Sequence, residues 1–173
     1  PPRDLNHAEH SDTVVPPSPT AIEHEGYHPI KGGILITPDT FSPTDGQFDL
    51  IIHFHGDVHL VRESVEHANL NAALAIINLG LRSGPYYQAY RAPGSLKVLL
   101  GEIRRAVAKR GVQNAKLRRL ALTAWSAGYG AIQSLLVSRQ SPSAKADPLD
   151  AVIVLDGIHC GFINHNPKRL NSR

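Results

Sequence analysis

Short apolar runs and longer amphipathic stretches alternate along this chain from about residue 30 onward. Five apolar runs predict strands at residues 33–37, 48–53, 74–79, 117–123 and 151–155. Apolar positions spaced three and four apart predict helices at residues 61–73, 95–110 and 131–137. Because the strand runs are nearly continuous in apolar residues, we expect them to be buried on both faces. The pattern predicts an α/β domain whose mostly parallel, doubly wound sheet has helices on both faces.

Residues 1–29 precede this alternation and show no apolar period. Six of the thirteen prolines fall here, and the run Pro-Pro-Ser-Pro-Thr favours an extended polyproline conformation. We therefore predict a flexible arm or linker over residues 1–29 and a single domain over residues 30–173. The chain begins with Pro1 instead of methionine, and together with the arm this favours a secreted or periplasmic protein.

Composition argues against several classes of partner. The formal net charge is only +3 and no basic run exceeds two residues, so we expect no nucleic-acid partner. The single cysteine, Cys160, rules out an internal disulfide and a cysteine-rich zinc site. No apolar run approaches the roughly 18 residues of a membrane span, so no spanning helix is predicted. The sequence leaves the oligomeric state open.

Residues 124–128, Ala-Trp-Ser-Ala-Gly, connect a predicted strand to a predicted helix within a few residues. Bulky side chains two positions before or after Ser126 would collide in such a sharp corner, and the chain has Ala124 and Gly128 there. A helix N-cap would explain the serine but not its small neighbours. The corner would hold the hydroxyl at a helix N-terminus, where partial positive charge favours a developing anion.

Polar residues and glycines follow the other strands as well, while the strand interiors are apolar. The residues that follow the strands are His55-Gly56-Asp57, Asn78 and Asp156-Gly157. In open α/β sheets the ligand site lies beyond the carboxyl ends of the strands. We therefore expect these residues and Ser126 to lie near one another.

The Ser126 segment resembles the G-x-S-x-G nucleophile elbow of the α/β-hydrolase superfamily, with alanine at the first glycine. The resemblance covers residues 48–162 and implies an α/β-hydrolase-like three-layer sandwich. It also implies a serine hydrolase that cleaves a small-molecule ester or other acyl substrate through an acyl-enzyme, with no cofactor. Superfamily members usually continue with further strands, so the domain is either minimal or incomplete at its C-terminal end.

The resemblance implies that Ser126 is the nucleophile and that Asp156 orients the histidine base. His159 is the candidate base, because its spacing from Asp156 resembles the Asp-x-x-His pair of the SGNH hydrolases. The alternative is a base outside this chain, with His159 lining the site. The distance from the Ser126 hydroxyl to the His159 ring distinguishes the two.

The His55-Gly56 pair resembles the superfamily segment whose backbone N–H groups complete the oxyanion hole. The implied donors are the N–H of Ala127 and one N–H from Gly56 or Asp57. Residues 80–94 are predicted to be a loop that contains Tyr86 and Tyr87. These tyrosines suit a substrate-lining role, and packing on the domain is the alternative.

A second hypothesis is a metal-dependent hydrolase. The candidate ligands, which resemble the H-x-H-x-D-H signature of metallo-β-lactamase-like hydrolases, are His53, His55, Asp57 and His59. Val58 separates the Asp-His pair that this signature keeps adjacent, and the metal hypothesis leaves the Ser126 segment unexplained. We therefore predict no catalytic metal. A third hypothesis is a non-catalytic relative that uses the fold as a binding module.

Overall fold

The computed structural model of the protein describes residues 26–139 and 148–157. Its strands are β1 (Tyr27–Ile30), β2 (Gly33–Ile36), β3 (Gln47–Phe54), β4 (Ala73–Ile77), β5 (Lys116–Trp125) and β6 (Ala151–Leu155). Its helices are α1 (Val58–His67), α2 (Ser83–Tyr90), α3 (Ser95–Lys109) and α4 (Tyr129–Ser138). A short 3-10 turn, Ser126–Gly128, joins β5 to α4.

The strands form one mixed sheet in the order β1-β2-β4-β3-β5-β6. The neighbours β4, β3, β5 and β6 are parallel, whereas β1 and β2 join as antiparallel strands at one edge. The α/β class expected from the sequence is therefore correct. Among the described residues β6 is the strand at the other edge, and about half of the Leu155 side chain is exposed.

Burial divides the core between the two faces of the sheet. On β4, Ala73, Ala75 and Ile77 belong to the larger apolar cluster, which also contains buried residues of α2, α3 and α4. The intervening Leu74 and Ile76 belong to a smaller cluster that contains Val65 of α1. All five residues of β4 are buried, as the continuous apolar run predicts.

Two elements were wrongly predicted. β1 overlaps the last three residues of the arm predicted for residues 1–29. It contains Pro29, which an edge strand tolerates although proline cannot donate a hydrogen bond. Residues 1–25 lie outside the described residues. The segment predicted as a loop, 80–94, contains α2, which accepts Pro85 because the first turn of a helix has no intrahelical partners for its N–H groups.

The observed boundaries of α1 also differ from the predicted ones. α1 runs from Val58 to His67 rather than over residues 61–73, because the side chain of Asp57 accepts a hydrogen bond from Leu60 N–H and caps the helix earlier. The strand prediction for residues 151–155 coincides with β6. Within the described residues, no helix is long and apolar enough to cross a membrane.

The order of the strands changes direction at one point of the sheet. From β3 the chain passes to β4 on one side, and from β5 it passes to β6 on the other side. The connections therefore diverge at the C-terminal ends of β3 and β5, which makes this point the topological switch of the sheet. His55 and the residues after it lie at one side of this crevice, and Ser126 lies at the other.

Candidate active site

Ser126 lies at a sharp corner between β5 and α4. Trp125 is still extended, with φ −114° and ψ 139°, whereas Tyr129 is already helical, with φ −55° and ψ −28°. Ser126 itself has φ +44°, in the left-handed region. A side chain in that region costs about 1–2 kcal/mol, so the serine is held in a strained conformation. We call residues 124–128 the Ser126 corner.

Small residues allow this corner to pack against the end of β3. Ala124 is fully buried in the core. A Cβ added to Gly128 would lie 2.0 Å from the carbonyl oxygen of Phe54, so only glycine fits there without displacement. The small side chains that predicted a corner are therefore required by the packing.

The loop after β3 turns back towards β4. His55 has φ +66°, and its N–H donates to the carbonyl oxygen of Ile77 over 2.9 Å. The N–H of Gly56 donates to Asn78 Oδ1 over 3.0 Å, and Asn78 Nδ2 donates to the carbonyl oxygen of Gly56 over 2.9 Å. Of the two loop donors predicted for the oxyanion, the Gly56 N–H is thus already bonded to Asn78.

His53 lies beneath this loop and is only 7% exposed. Its Nε2 is 3.2 Å from the carbonyl oxygen of His55, and its Nδ1 is 2.7 Å from Thr123 Oγ1. Because a carbonyl only accepts, Nε2 carries the proton, and in the neutral ring Nδ1 accepts from the threonine hydroxyl, whose contact with the carbonyl oxygen of Ile52 is longer, at 3.5 Å. Burial lowers the pKa of His53, and the hydrogen bond to the His55 carbonyl offsets part of that shift. The ring is therefore neutral, and both of its nitrogens are occupied.

The His55 ring connects the loop to the Ser126 corner. It stacks on the indole of Trp125 with an interplanar angle of 21° and a centroid distance of 5.7 Å. Its Nδ1 is 3.0 Å from the hydroxyl of Tyr86, which also accepts from the N–H of Leu79. Burial lowers the pKa of His55, and the carbonyl of Gly80 raises it in part. The neutral imidazole is thus favoured here as well.

The two tyrosines predicted to line the substrate site have different positions. Tyr86 is fully buried on α2, where its hydroxyl bridges His55 and the backbone of Leu79. Burial raises the pKa of this phenol, so the hydroxyl keeps its proton. Tyr87 is 44% exposed on the outer surface of the same helix. Tyr86 therefore supports the loop instead of presenting its ring to a substrate.

Asp156 follows β6 and has φ +49°. The next residue, Gly157, is buried, and a Cβ added to it would lie 3.2 Å from the carbonyl oxygen of Ser126. The end of β6 therefore lies against the Ser126 corner. His159 lies outside the described residues, so its pairing with Asp156 and its distance from Ser126 stay predictions.

The candidate metal ligands are not brought together. The described residues contain no cluster of three or more His, Cys, Asp or Glu side chains that could hold a metal ion. β3 ends at Phe54, so His55 does not continue the strand alternation that would align it with His53. Asp57 caps α1, and His59 is exposed on that helix.

A cavity of about 560 Å³ opens at the opposite end of the sheet. Its lining includes Gly46, which precedes β3, and Arg110, which follows α3. Ser126 and the residues after β3 lie at the C-terminal end of the strands, away from this cavity. The cavity is therefore separate from the candidate active site.

Sequence reasoning missed three side chains that organise the site. From the sequence Asn78 is only a residue at a strand end, and Thr123 and Trp125 are only parts of the strand and the corner. Each acts through a residue far away in sequence: Asn78 on Gly56, Thr123 on His53 and Trp125 on His55. The position of Asn78 directly after an apolar run was the signal that could have identified it.

Comparison with known proteins adds little. No protein-family model matches the chain, and no curated protein matches it in sequence. A search of solved structures finds a histone deacetylase from Saccharomyces cerevisiae with 11% sequence identity and a TM-score of 0.33. The match covers 73% of this chain and 56% of the deacetylase chain, so the chain spans little more than half the length of that protein. So low a TM-score carries no argument about fold or activity.

Proposed function

We propose that the chain is a serine hydrolase of the α/β-hydrolase type that cleaves an ester or other acyl bond. The observation that carries the proposal is the left-handed Ser126, φ +44°, at the corner between β5 and α4. A strained serine between a strand and a helix, at the C-terminal end of the parallel strands of a sheet, is the geometry of a nucleophile elbow. The three-layer, α/β-hydrolase-like arrangement belongs to the same proposal.

The reaction begins when Ser126 Oγ attacks the acyl carbon and its proton passes to a histidine. His159 is the proposed base and Asp156 the group that orients it. The tetrahedral intermediate then expels the leaving group, which takes the proton from the histidine, and leaves the acyl group on Ser126. Water activated by the same histidine hydrolyses this acyl-enzyme and restores the hydroxyl.

Two backbone N–H groups bind the oxyanion in this proposal. Ala127 follows the nucleophile at the start of the helical turn, where N–H groups have no intrahelical partner. The second donor comes from the loop after β3, as the nucleophile-elbow geometry requires. Donors of this kind supply much of the rate enhancement, because they are already oriented where charge develops.

A fluorophosphonate probe tests the proposal. Ser126 Oγ would bond to phosphorus and fluoride would leave, so the protein gains a mass adduct on the peptide that contains Ser126. The Ser126→Ala variant should lose the adduct, while Ser64→Ala, which removes an exposed serine of α1, should keep it. Labelling that persists in Ser126→Ala would overturn the assignment of the nucleophile.

Labelling, combined with an ester panel and a metal analysis, separates the alternative functions. If the chain is a non-catalytic binding module, the folded wild-type protein should neither take the probe nor hydrolyse any member of a panel of acyl esters. Hydrolysis that disappears on chelation, with stoichiometric metal by elemental analysis, is the outcome expected of a metal-dependent hydrolase. For a serine hydrolase, the panel should contain esters of graded chain length, because the preferred acyl chain identifies the substrate class.

A further inference from the structure

We propose that Asn78 is the positioning residue of the oxyanion site and that its side chain selects the Asp57 N–H as the donor from the loop after β3. The inference rests on the proposed serine hydrolase function and deepens it. Asn78 follows β4 directly, is exposed, and uses both ends of its carboxamide on Gly56. It touches no reacting atom in this assignment and acts through the backbone of the loop.

The backbone of His55 reverses the normal alternation of the strand. In an extended strand successive N–H groups point to opposite sides, and the N–H of His55 points to β4, where it bonds to Ile77. A continued strand would therefore direct the Gly56 N–H towards β5. Because His55 has φ +66°, the Gly56 N–H instead points to the β4 side and bonds to Asn78.

The next peptide group then faces the other way. Asn78 Nδ2 donates to the carbonyl oxygen of Gly56, and in a trans peptide the N–H points opposite to the carbonyl. That N–H belongs to Asp57, so it points away from Asn78. β3 lies between β4 and β5, so the side of β3 away from β4 is the side of β5, and Ser126 directly follows β5. A hydrogen bond to the carbonyl also polarises the N–H of the same peptide, which strengthens it as a donor.

Only a side chain with an acceptor and a donor at one end can hold Gly56 in this way. The orientation of the Asn78 amide is fixed, because the backbone N–H must meet its oxygen and the backbone carbonyl must meet its nitrogen. An aspartate would keep the acceptor for the Gly56 N–H but would place a second acceptor against the Gly56 carbonyl. His53 holds the preceding carbonyl, that of His55, from below.

The other end of β4 supplies a matched control. Asn71, which is also exposed, accepts from the N–H of Ser42 over 2.8 Å and donates to the carbonyl oxygen of Ser42 over 2.9 Å. Asn71 precedes β4, so it lies at the end of the sheet away from Ser126. The substitutions Asn78→Asp and Asn71→Asp therefore make the same chemical change in the same kind of hydrogen-bond pair, near the site and far from it.

The experiment measures three quantities for wild type and both variants: the rate constant of Ser126 phosphonylation, kcat and KM for an acyl ester, and the urea midpoint of unfolding. Loss of a single oxyanion donor slows catalysis by about 10²- to 10³-fold, so Asn78→Asp should lower phosphonylation and kcat by about 10²-fold. KM should stay within about threefold, since a transition-state interaction is lost. Asn71→Asp should keep its rates within about twofold of wild type.

A pH profile separates positioning from general loss of structure. The carboxyl introduced by Asn78→Asp regains a donor when it is protonated, so it can again donate to the Gly56 carbonyl. The ratio of variant to wild-type phosphonylation rates should therefore rise as the pH falls through the pKa of that carboxyl. Taking the ratio removes the part of the histidine titration that the two proteins share. A purely destabilised variant would show no such recovery.

The outcomes distinguish this inference from the function it rests on. If wild type is labelled at Ser126 and Asn78→Asp is labelled at the same rate, the role of Asn78 is overturned and the hydrolase proposal stays intact. Equal losses in Asn78→Asp and Asn71→Asp, with no recovery at low pH, also overturn it. Wild-type protein that takes no label and hydrolyses no acyl ester overturns both.

Discussion

Gly128 packs so closely against Phe54 that a Cβ on the glycine would lie 2.0 Å from the phenylalanine carbonyl oxygen. This contact joins the Ser126 corner to the last residue of β3, two segments far apart in the sequence. Together with the pairing of Phe54 with Ala124 and the stacking of His55 on Trp125, this backbone-to-backbone approach sets the position of the serine relative to the loop at His55. The contact is the geometric reason that the residue two positions after Ser126 has no side chain.

We predict that Gly128→Ala destabilises the protein and slows labelling at Ser126. Because the opposing atom is backbone, the corner has to move, and forcing a methyl group into packed structure costs about 1–3 kcal/mol. Gly101→Ala is the matched control, since its Cβ would meet only the end of the Arg105 side chain at 3.7 Å. That change should stabilise α3 by up to about 1 kcal/mol. Urea unfolding and probe kinetics measure both effects.

A Gly128→Ala variant as stable as wild type and labelled at the wild-type rate would contradict the packing argument. A variant that is less stable but labels normally would show that the corner can shift without moving the nucleophile. The control matters because both substitutions add the same methyl group. Only the space around it differs.

The sequence predicted the strands and helices whose signal lies within a few neighbouring residues. The run at residues 151–155 gave the bounds of β6, because it is apolar throughout and is followed by Asp156-Gly157. β1 was missed, since four residues that include a proline carry little signal until their pairing with β2 is known. α2 was missed because Ser83-Gly84-Pro85 resembles a turn.

The candidate site also contains features that local sequence could predict and features that it could not. The Ser126 corner could be predicted, because small residues at fixed offsets are a local requirement of a sharp turn. The proposed choice of Asp57 over Gly56 as the loop donor could not be predicted, because it is argued from the φ of His55 and from Asn78, which is 22 residues beyond Gly56. That Tyr86 supports His55 also depends on tertiary packing.

The left-handed conformation of Ser126 gives a second prediction. Ser126→Gly should be more stable than Ser126→Ala by about 1 kcal/mol, because glycine adopts φ +44° without the Cβ penalty and alanine does not. At Ser64, an exposed position within α1, the order should reverse, with alanine more stable by about 1 kcal/mol. Chemical denaturation of the four variants measures both differences.

The comparison of glycine with alanine removes the serine hydroxyl in every case, so loss of a hydrogen bond cannot explain the sign. If alanine is the more stable substitution at both serines, Ser126 is not held in the left-handed region and the strained corner is wrong. Neither variant at Ser126 retains the hydroxyl of the proposed nucleophile. The test therefore examines the geometry of the corner independently of its activity.

The last prediction concerns the pH dependence of stability. Burial lowers the pKa of His53 below its ordinary value of 6.5. In the range between the lowered pKa and about 6.5, the unfolded chain binds more protons at this residue than the folded chain does, so stability rises with pH there and falls on acidification.

His53→Gln keeps a donor that can reach the His55 carbonyl but does not titrate. The variant should lose less stability than wild type between pH 7.5 and pH 5, by a slope difference of at most about 1.4 kcal/mol per pH unit. The pKa of His55 is lowered too, and His55 is present in both proteins, so the difference in slope reports His53 together with its electrostatic effect on His55. Equal slopes in urea unfolding across this range would mean that His53 is not held neutral beneath the loop.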